Sequence, residues 1–377
     1  MSPVFPAPNA LSPTYRAALR GCLYGTALGD ALGYPVETLT RAQMFETFGC
    51  DSPQELIAAL ASQPLKISDD TQLTLATLDG LTEVLEWNNE GQAADELACI
   101  WLAYLRWYTG TGHPAPETAP FSLPRPLDSL EVMRQQRGPG KATLAALAEG
   151  EMQFISKNVN PEALGTGALM RSAPFGYLPV EDDATVIKLS AHAAALTHGH
   201  PEAIISASAY ALLIRYLLGS HETTLASPLR TAVEQVLIWL AGVKDSQALP
   251  GTGELTAEAL RNALQISETK APASEAQIHF GNLVLAPDCL GYALYLALTA
   301  ETNLEAGADT SAPDLLMSAL ADALAVDGDS DSIAALVGSM LGALGTEAVL
   351  PQALLTHLDA QDALDLVEAA WFKQLGL

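Results

Sequence analysis

Along this chain apolar residues return every three or four positions, the spacing of one face of an α-helix. Leu73, Ala76, Thr77, Gly80, Leu81 and Val84 keep that period and predict a helix over 69–87, with Ser68 placed to cap it. A further helix is predicted over 93–108. Its aromatic stripe, Trp101, Tyr104, Trp107 and Tyr108, reads as core. Before these, residues 15–32 form a helix with Gly21, Gly25, Gly29 and Gly33 four residues apart, and Pro35 ends it. That interval puts the glycines on one face, where another backbone could approach closely.

Glycines and prolines between 109 and 140 break any regular element, so a long loop is expected there. A short helix follows over 141–150, then a second irregular stretch over 156–167. Further helices are expected near 185–197, 200–219, 227–243, 255–268, 287–299, 313–325, 330–344 and 360–374, with 300–312 as an exposed insertion. No series of strands, no βαβ alternation and no fixed-period repeat is visible. The pattern predicts an all-α bundle, with 1–14 as a flexible N-terminal extension and 15–377 as one domain.

Composition agrees, since Ala and Leu dominate the 49% hydrophobic content and both are strong helix formers. The apolar run over 203–219 contains Tyr210, Arg215 and serines, and reads as a buried helix and not a membrane span. The N-terminus lacks the basic start and apolar run of a signal peptide, so a cytoplasmic setting is expected. Cys22, Cys50, Cys99 and Cys289 are widely separated, which argues against a disulfide framework or a zinc site. Lys and Arg number 18 against 44 Asp and Glu, a formal net charge of −26. Such a chain repels phosphate backbones, so nucleic acid is not an expected partner. An anionic small molecule would need local cations or clustered backbone N–H groups to bind.

Two acidic stretches stand at predicted helix starts: Ser68-Asp69-Asp70-Thr71, and Asp327-Gly328-Asp329-Ser330-Asp331-Ser332. Asp and Ser are preferred helix caps, which accounts for the first stretch without any ligand. The second is harder to explain that way, because its aspartates repel one another unless a cation lies between them. It lacks the glycine position and distal glutamate of an EF-hand loop. Carboxylate and hydroxyl donors suit Mg²⁺, Mn²⁺ or Ca²⁺. If the two stretches met in space, they could hold two hard cations.

Taken together, the segments GCLYGTALGDALGYPVE (21–37), SDDTQLTLATLDGL (68–81), RGPGKATLAAL (137–147), GTGALMRSAPFG (165–176), LTHGHPEA (196–203) and DGDSDSIAALVGSMLGAL (327–344) resemble the ADP-ribosylglycohydrolases in the same order. That family includes the glycohydrolase that reactivates dinitrogenase reductase. The resemblance runs from about residue 17 to 351. It implies a compact multi-helix fold around a central binuclear site holding two Mg²⁺, sometimes Mn²⁺. Ser68, Asp69, Asp70, Asp329, Asp331 and Ser332 match the family's metal ligands, with Asp331 bridging. Glu37, Asp69 and Asp70 are the catalytic candidates. Gly165, Thr166 and Gly167 match the loop that cradles the diphosphate and distal ribose, and His198 matches a histidine near the phosphates. Serines stand where many members carry threonine, Asp327 replaces a neutral residue, and Thr166 stands where some members carry Asn.

The implied activity is metal-dependent removal of ADP-ribose from protein side chains. The motif style points to bacterial enzymes acting on ADP-ribosyl-arginine, some of which are immunity proteins against ADP-ribosylating toxins. The expected partners are an ADP-ribosylated protein and a cognate ADP-ribosyltransferase toxin. Neither a membrane nor nucleic acid is expected as a partner, and a monomer is. Three alternatives stand beside this: a module that blocks a transferase by occlusion, a hydrolase of serine-linked or small-molecule ADP-ribose, and a degenerate relative. The retained acidic stretches argue against the last, since unneutralised charge would be a liability.

Overall fold

In a computed structural model, residues 4–246, 248–305 and 311–377 are described. The expected exposed insertion over 300–312 falls partly outside them. The helices are α1 (Pro13–Gly33), α2 (Arg41–Phe48), α3 (Pro53–Ala61), α4 (Asp69–Asn89), α5 (Glu96–Gly110), α6 (Lys141–Ala148), α7 (Asp183–Ala195), α8 (Pro201–Ser220), α9 (Pro228–Val243), α10 (Glu254–Thr269), α11 (Ala273–Ala276), α12 (Ala286–Glu305), α13 (Ala312–Leu324), α14 (Ser330–Gly345), α15 (Gln352–Leu355) and α16 (Gln361–Gln374). Among the described residues there is no sheet, only isolated bridges such as Leu65 with Leu358. The helices from 183 onward agree with the periodicity to within a few residues, although α12 runs on to Glu305.

Four helices lie outside the periodic segments: the four-residue α11 and α15, and the longer α2 and α3. α2 starts at Thr40, which makes a full capping box with Gln43, and ends at Gly49 in the left-handed region, φ 61°. α3 starts at Ser52, whose side chain accepts from Glu55 N–H. These are local signals of capping chemistry, which a search for apolar period passes over. The irregular stretch after α5 also contains short 3₁₀ turns at Pro126–Ser129 and Glu131–Arg134.

α1 and α14 are the centre of the molecule. A Cβ built on Gly21 would stand 2.3 Å from the Gly342 carbonyl oxygen, on Gly25 2.2 Å from that of Gly338, and on Gly29 2.1 Å from that of Ala334. The reciprocal distances from Gly338 and Gly342 are both 2.0 Å. No side chain fits there, so the glycine stripe is a backbone-to-backbone seam. At its end, Gly33 packs on the Asp331 backbone, its missing Cβ falling 2.3 Å from Asp331 Cα.

One contiguous core wraps this pair and reaches from Phe5 to Phe372. Phe5 is buried and stacks on Tyr216 of α8, with ring centroids 5.0 Å apart. α8 and residues 330–349 are long and apolar enough to cross a membrane by composition, but the α8 window is 100% buried inside the protein and the other 72%. α8 therefore has the place of a core helix. Its Arg215 is accommodated by Asp183 at 2.6 Å and by the Leu178 and Val180 carbonyls. On the other side of the bundle, buried Asp79 of α4 pairs with Arg106 of α5 at 3.2 Å and Arg125 at 2.8 Å, tying the long loop down. All four cysteines are buried and unpaired.

The seam predicts a sharp contrast between glycines. Gly25→Ala should lower unfolding free energy by about 2 kcal/mol or more, because a methyl group there forces the two backbones apart. Gly242→Ala meets nothing within 4 Å and should leave stability within about 1 kcal/mol of the parent. Urea unfolding of the two variants checks this.

Candidate functional site

The seam fixes where the start of α14 stands, and a buried aspartate of α1 fixes the start of α4. Asp30 is fully buried. Its carboxylate accepts Ser68 N–H at 3.0 Å on each oxygen, Thr71 N–H at 3.1 Å, and the Thr71 hydroxyl. It thus takes up the free N–H groups of the first turn of α4 from outside the helix. Burial pushes Asp30 up to about 6, against the pull of these hydrogen bonds. Asp30 belongs to none of the acidic stretches at helix starts. Its signal was a lone acid inside the apolar, glycine-spaced stripe of α1, where an exposed residue has no place.

Ser68 caps α4, its hydroxyl accepting Asp70 N–H at 3.0 Å, so the capping reading of the first stretch holds for this residue. The second stretch behaves differently. Asp329 is the N-cap residue of α14, but its side chain makes no capping bond; it accepts the Thr166 hydroxyl instead. Asp331 accepts Ser332 N–H at 3.0 Å. The Ser332 hydroxyl then reaches across to Asp70 Oδ2 at 2.7 Å, joining the two stretches directly. Asp327 stands apart and accepts Arg41 N–H at 2.7 Å, at the start of α2.

The segment 137–140 closes over the first stretch. Arg137 O accepts Asp69 N–H at 2.9 Å, while the Arg137 guanidinium donates to Ile67 O at 2.9 Å and pairs with Asp359 at 2.6 Å. Gly138, at φ 77°, needs glycine for its backbone. A Cβ there would also meet Glu37 Oε2 at 3.5 Å and Asp69 Oδ1 at 3.7 Å, so both carboxylates lie against the same point. Glu37 is only partly buried, just past the 3₁₀ turn Tyr34–Val36.

Gly165, Thr166 and Gly167 lie beside the second stretch. Asp329 N–H donates to Leu283 O at 2.7 Å, Gly328 packs on the Leu283 backbone, and Ala286 N–H donates to Leu164 O at 2.9 Å. The strap 283–286 therefore clamps both loops, and its role had no signature in the sequence. Gly167 lies against His198, its missing Cβ falling 2.9 Å from the ring Cε1.

Every candidate residue thus falls in one region. Ser68, Asp69, Asp70, Glu37, Asp329, Asp331 and Ser332 form its acidic side, and Gly165, Thr166, Gly167 and His198 its other wall. Ser68, Asp69, Asp70, Asp331 and Ser332 are all buried. Among the described residues no Lys or Arg pairs with Asp69, Asp70, Asp329 or Asp331. Burial first, and then the neighbouring carboxylates, push Asp69, Asp70 and Asp331 well above the usual carboxylate range. Burial, Asp329 and Asp30 push Glu37 up to about 7.

Among the described residues no three His, Cys, Asp or Glu side chains already stand in a metal-binding array. The donor chemistry nevertheless fits a hard divalent cation: the donors are all oxygen, the carboxylates lack a countercharge, and they repel one another.

The family model described as ADP-ribosylglycohydrolase matches residues 11–375. The uncharacterized protein YegU of Escherichia coli (strain K12) is 27% identical over 358 residues, which cover 92% of each chain. A solved structure titled ADP-ribosylglycohydrolase-related protein complex has the same fold, with a TM-score of 0.58 at 22% identity, covering 96% of this chain and 99% of that one.

The carboxylate cluster sets a pH dependence for metal-free protein. The Glu37 carboxyl rises from 4.5 to about 7 on folding. The folded state then binds more protons across that window, and raising pH through it removes stability. Buried His198 acts with the opposite sign at lower pH, since it is held neutral. The comparison with Glu37→Gln isolates the carboxylate: the wild-type melting midpoint should fall relative to the variant from about pH 4.5 to about pH 7, then run parallel to it. Differential scanning calorimetry in chelator reads this, and a difference that does not change with pH would refute it.

Proposed function

This chain belongs to the ADP-ribosylglycohydrolase family, and on that premise we propose that it is a metal-dependent hydrolase that removes ADP-ribose from modified protein side chains. The observation that carries the reading is the hydrogen bond from Ser332 to Asp70. It brings two acidic helix starts, distant in sequence, into one buried cluster beside the Gly165–Gly167 loop.

Ser68, Asp69, Asp70, Asp329, Asp331 and Ser332 are the residues that would hold two divalent cations, Mg²⁺ or Mn²⁺. When bound, these would supply the positive charge that a diphosphate needs in a protein of net charge −26 and would polarise the water and ribose hydroxyls at the reacting carbon. The residues of the chain do the rest. Gly165 leaves room for the diphosphate to lie close, Gly167 makes room for the His198 ring, and Thr166, turned to Asp329, holds that carboxylate in place. Glu37 is only partly buried, and its raised pKa suits a group that takes a proton from water and returns it to the leaving group. Water adds to the anomeric carbon, the bond to the side-chain nitrogen or oxygen breaks, and the departing atom takes up the proton.

The arginine linkage and a role as an immunity protein against an ADP-ribosylating toxin rest on the style of the sequence motifs. An assay separates the linkages. Arginine- and serine-linked ADP-ribosylated proteins are incubated with the chain, with and without Mg²⁺, and free ADP-ribose is quantified. Magnesium-dependent release from the arginine linkage is expected. Asp69→Asn and Asp331→Asn should each lower kcat/KM by about 100-fold or more, in line with the loss of an electrostatic element of a catalytic site. Full activity in either variant would refute the site. Protection of cells against a transferase by the Asp331→Asn protein would point to occlusion instead of hydrolysis.

The same metals should stabilise the fold. In the neutral range, where repulsion in the cluster is greatest, Mg²⁺ should raise the melting midpoint of the wild type and leave that of an Asp69→Asn, Asp331→Asn double variant unmoved.

A further inference from the structure

Arg171 and Thr197, in the segments 165–176 and 196–203, play no part in the function proposed above. Arg171 is only 1% exposed, yet no carboxylate pairs with it among the described residues. Its guanidinium lies 4.4 Å from the Tyr104 ring centroid, and the ring face shelters the charge. Nη2 donates to Thr197 Oγ1 at 2.7 Å, and Nη1 makes no hydrogen bond. Thr197 Oγ1 in turn lies 2.8 Å from Nδ1 of His198.

The direction of these bonds follows from what each group can do. A guanidinium only donates, so Thr197 Oγ1 is its acceptor. The Thr197 hydroxyl proton then needs an acceptor, and Thr197 is fully buried. Among the described residues His198 Nδ1 is the one acceptor that side chain meets. A proton on Nδ1 would leave the hydroxyl proton buried without a partner, which is costly. Nδ1 is therefore the acceptor and the ring proton sits on Nε2.

The Cε1–Nε2 edge of the ring faces Gly167, whose missing Cβ would be 2.9 Å from Cε1 and 3.2 Å from Nε2. No described residue accepts from Nε2. The loop that carries the ring is fixed as well. Asn160 Nδ2 donates to Thr197 O at 3.0 Å and to Ala142 O at 2.8 Å, and Gly199 N–H donates to Asn160 O at 3.0 Å. Burial, and then the nearby Arg171 charge, drive the imidazole down to about 3, so no added proton competes for Nδ1.

We propose that Arg171, acting through Thr197, fixes His198 as the neutral Nε2–H tautomer, a standing hydrogen-bond donor to an oxygen of ADP-ribose held at Gly165–Gly167. This rests on reading the site as one for ADP-ribose. Arg171 and Thr197 are positioning residues. They make His198 a neutral donor and withhold it from service as a base or a cation.

Nitrogen-15 NMR of histidine-labelled protein reads the tautomer without any ligand or activity. The His198 signal, assigned by its loss in His198→Gln, should show a neutral ring protonated at Nε2 at neutral pH. An Nδ1–H ring or a doubly protonated ring overturns the proposal. Calorimetric titration with ADP-ribose then tests the consequence. Thr197→Val should lose about tenfold in affinity, the scale of one hydrogen bond, while Thr197→Ser, which keeps the hydroxyl, stays within about twofold of wild type. Melting curves in the same buffer confirm that both variants are folded. Equal affinity in Thr197→Val and wild type overturns the relay. Failure of the wild type to bind ADP-ribose overturns the reading of the site and the donation with it, whereas the spectrum alone decides the tautomer.

Discussion

Two helices from opposite ends of the chain, α1 and α14, touch backbone to backbone, and most of the molecule follows from that contact. Such closeness is open only to glycine, since any side chain at Gly25 or Gly338 would occupy the space of the other helix's carbonyl. The gain is dense packing without side-chain entropy, and the cost is the weak helix propensity of glycine. The other helices pay back that cost by covering the pair, which is why α14 and α8 are buried along most of their length. The seam also sets a register. It ends with Gly33 on the backbone of Asp331, so the acidic start of α14 cannot slide relative to Asp30, three residues earlier on α1.

From Asp30 the constraint passes to α4. A buried carboxylate that accepts the first N–H groups of a helix is satisfied by that helix alone, and it fixes where the helix begins. The two acidic starts are thereby held against each other, joined by Ser332 and Asp70. A cluster of this kind works against stability while it lacks a countercharge. Its carboxylates are raised by burial and by one another, whereas Asp183 has the Arg215 guanidinium at 2.6 Å. Buried carboxylates elsewhere are met by donors or cations: Asp79 has two arginines, and Glu202 accepts from Thr256 N–H and hydroxyl. The unpaired cluster is thus a local exception, and exceptions of this sort are where function is expected.

The opposite wall of the site has another logic. It is built from neutral donors and small residues: glycines, Thr166, and an imidazole kept neutral by its surroundings. A nearby cation, Arg171, orients Thr197 and His198 and is covered by Tyr104. An acidic side and a neutral, donating side meet where Thr166 bonds Asp329, an arrangement that divides the handling of cations from the handling of anionic oxygens.

Much of this was legible in the residues. Apolar periodicity marks the helices from 183 onward, and the four-residue glycine interval marks the close approach, because a helix has a fixed turn and glycine has no side chain. The acidic stretches at helix starts, and the loops around 138 and 166, stand out because their residue types are costly or strained without a reason. The sequence could not say which partner the glycine stripe meets, since any small-residue face would serve. Nor could it separate capping from clustering: Ser68 caps its helix while Asp329, equally placed, turns away to Thr166. The partners of Asp30, the 283–286 strap and the donor order from Arg171 to His198 were decided by tertiary structure alone. Each depends on groups far apart in sequence meeting at hydrogen-bond distance, and local pattern carries no record of distance through space.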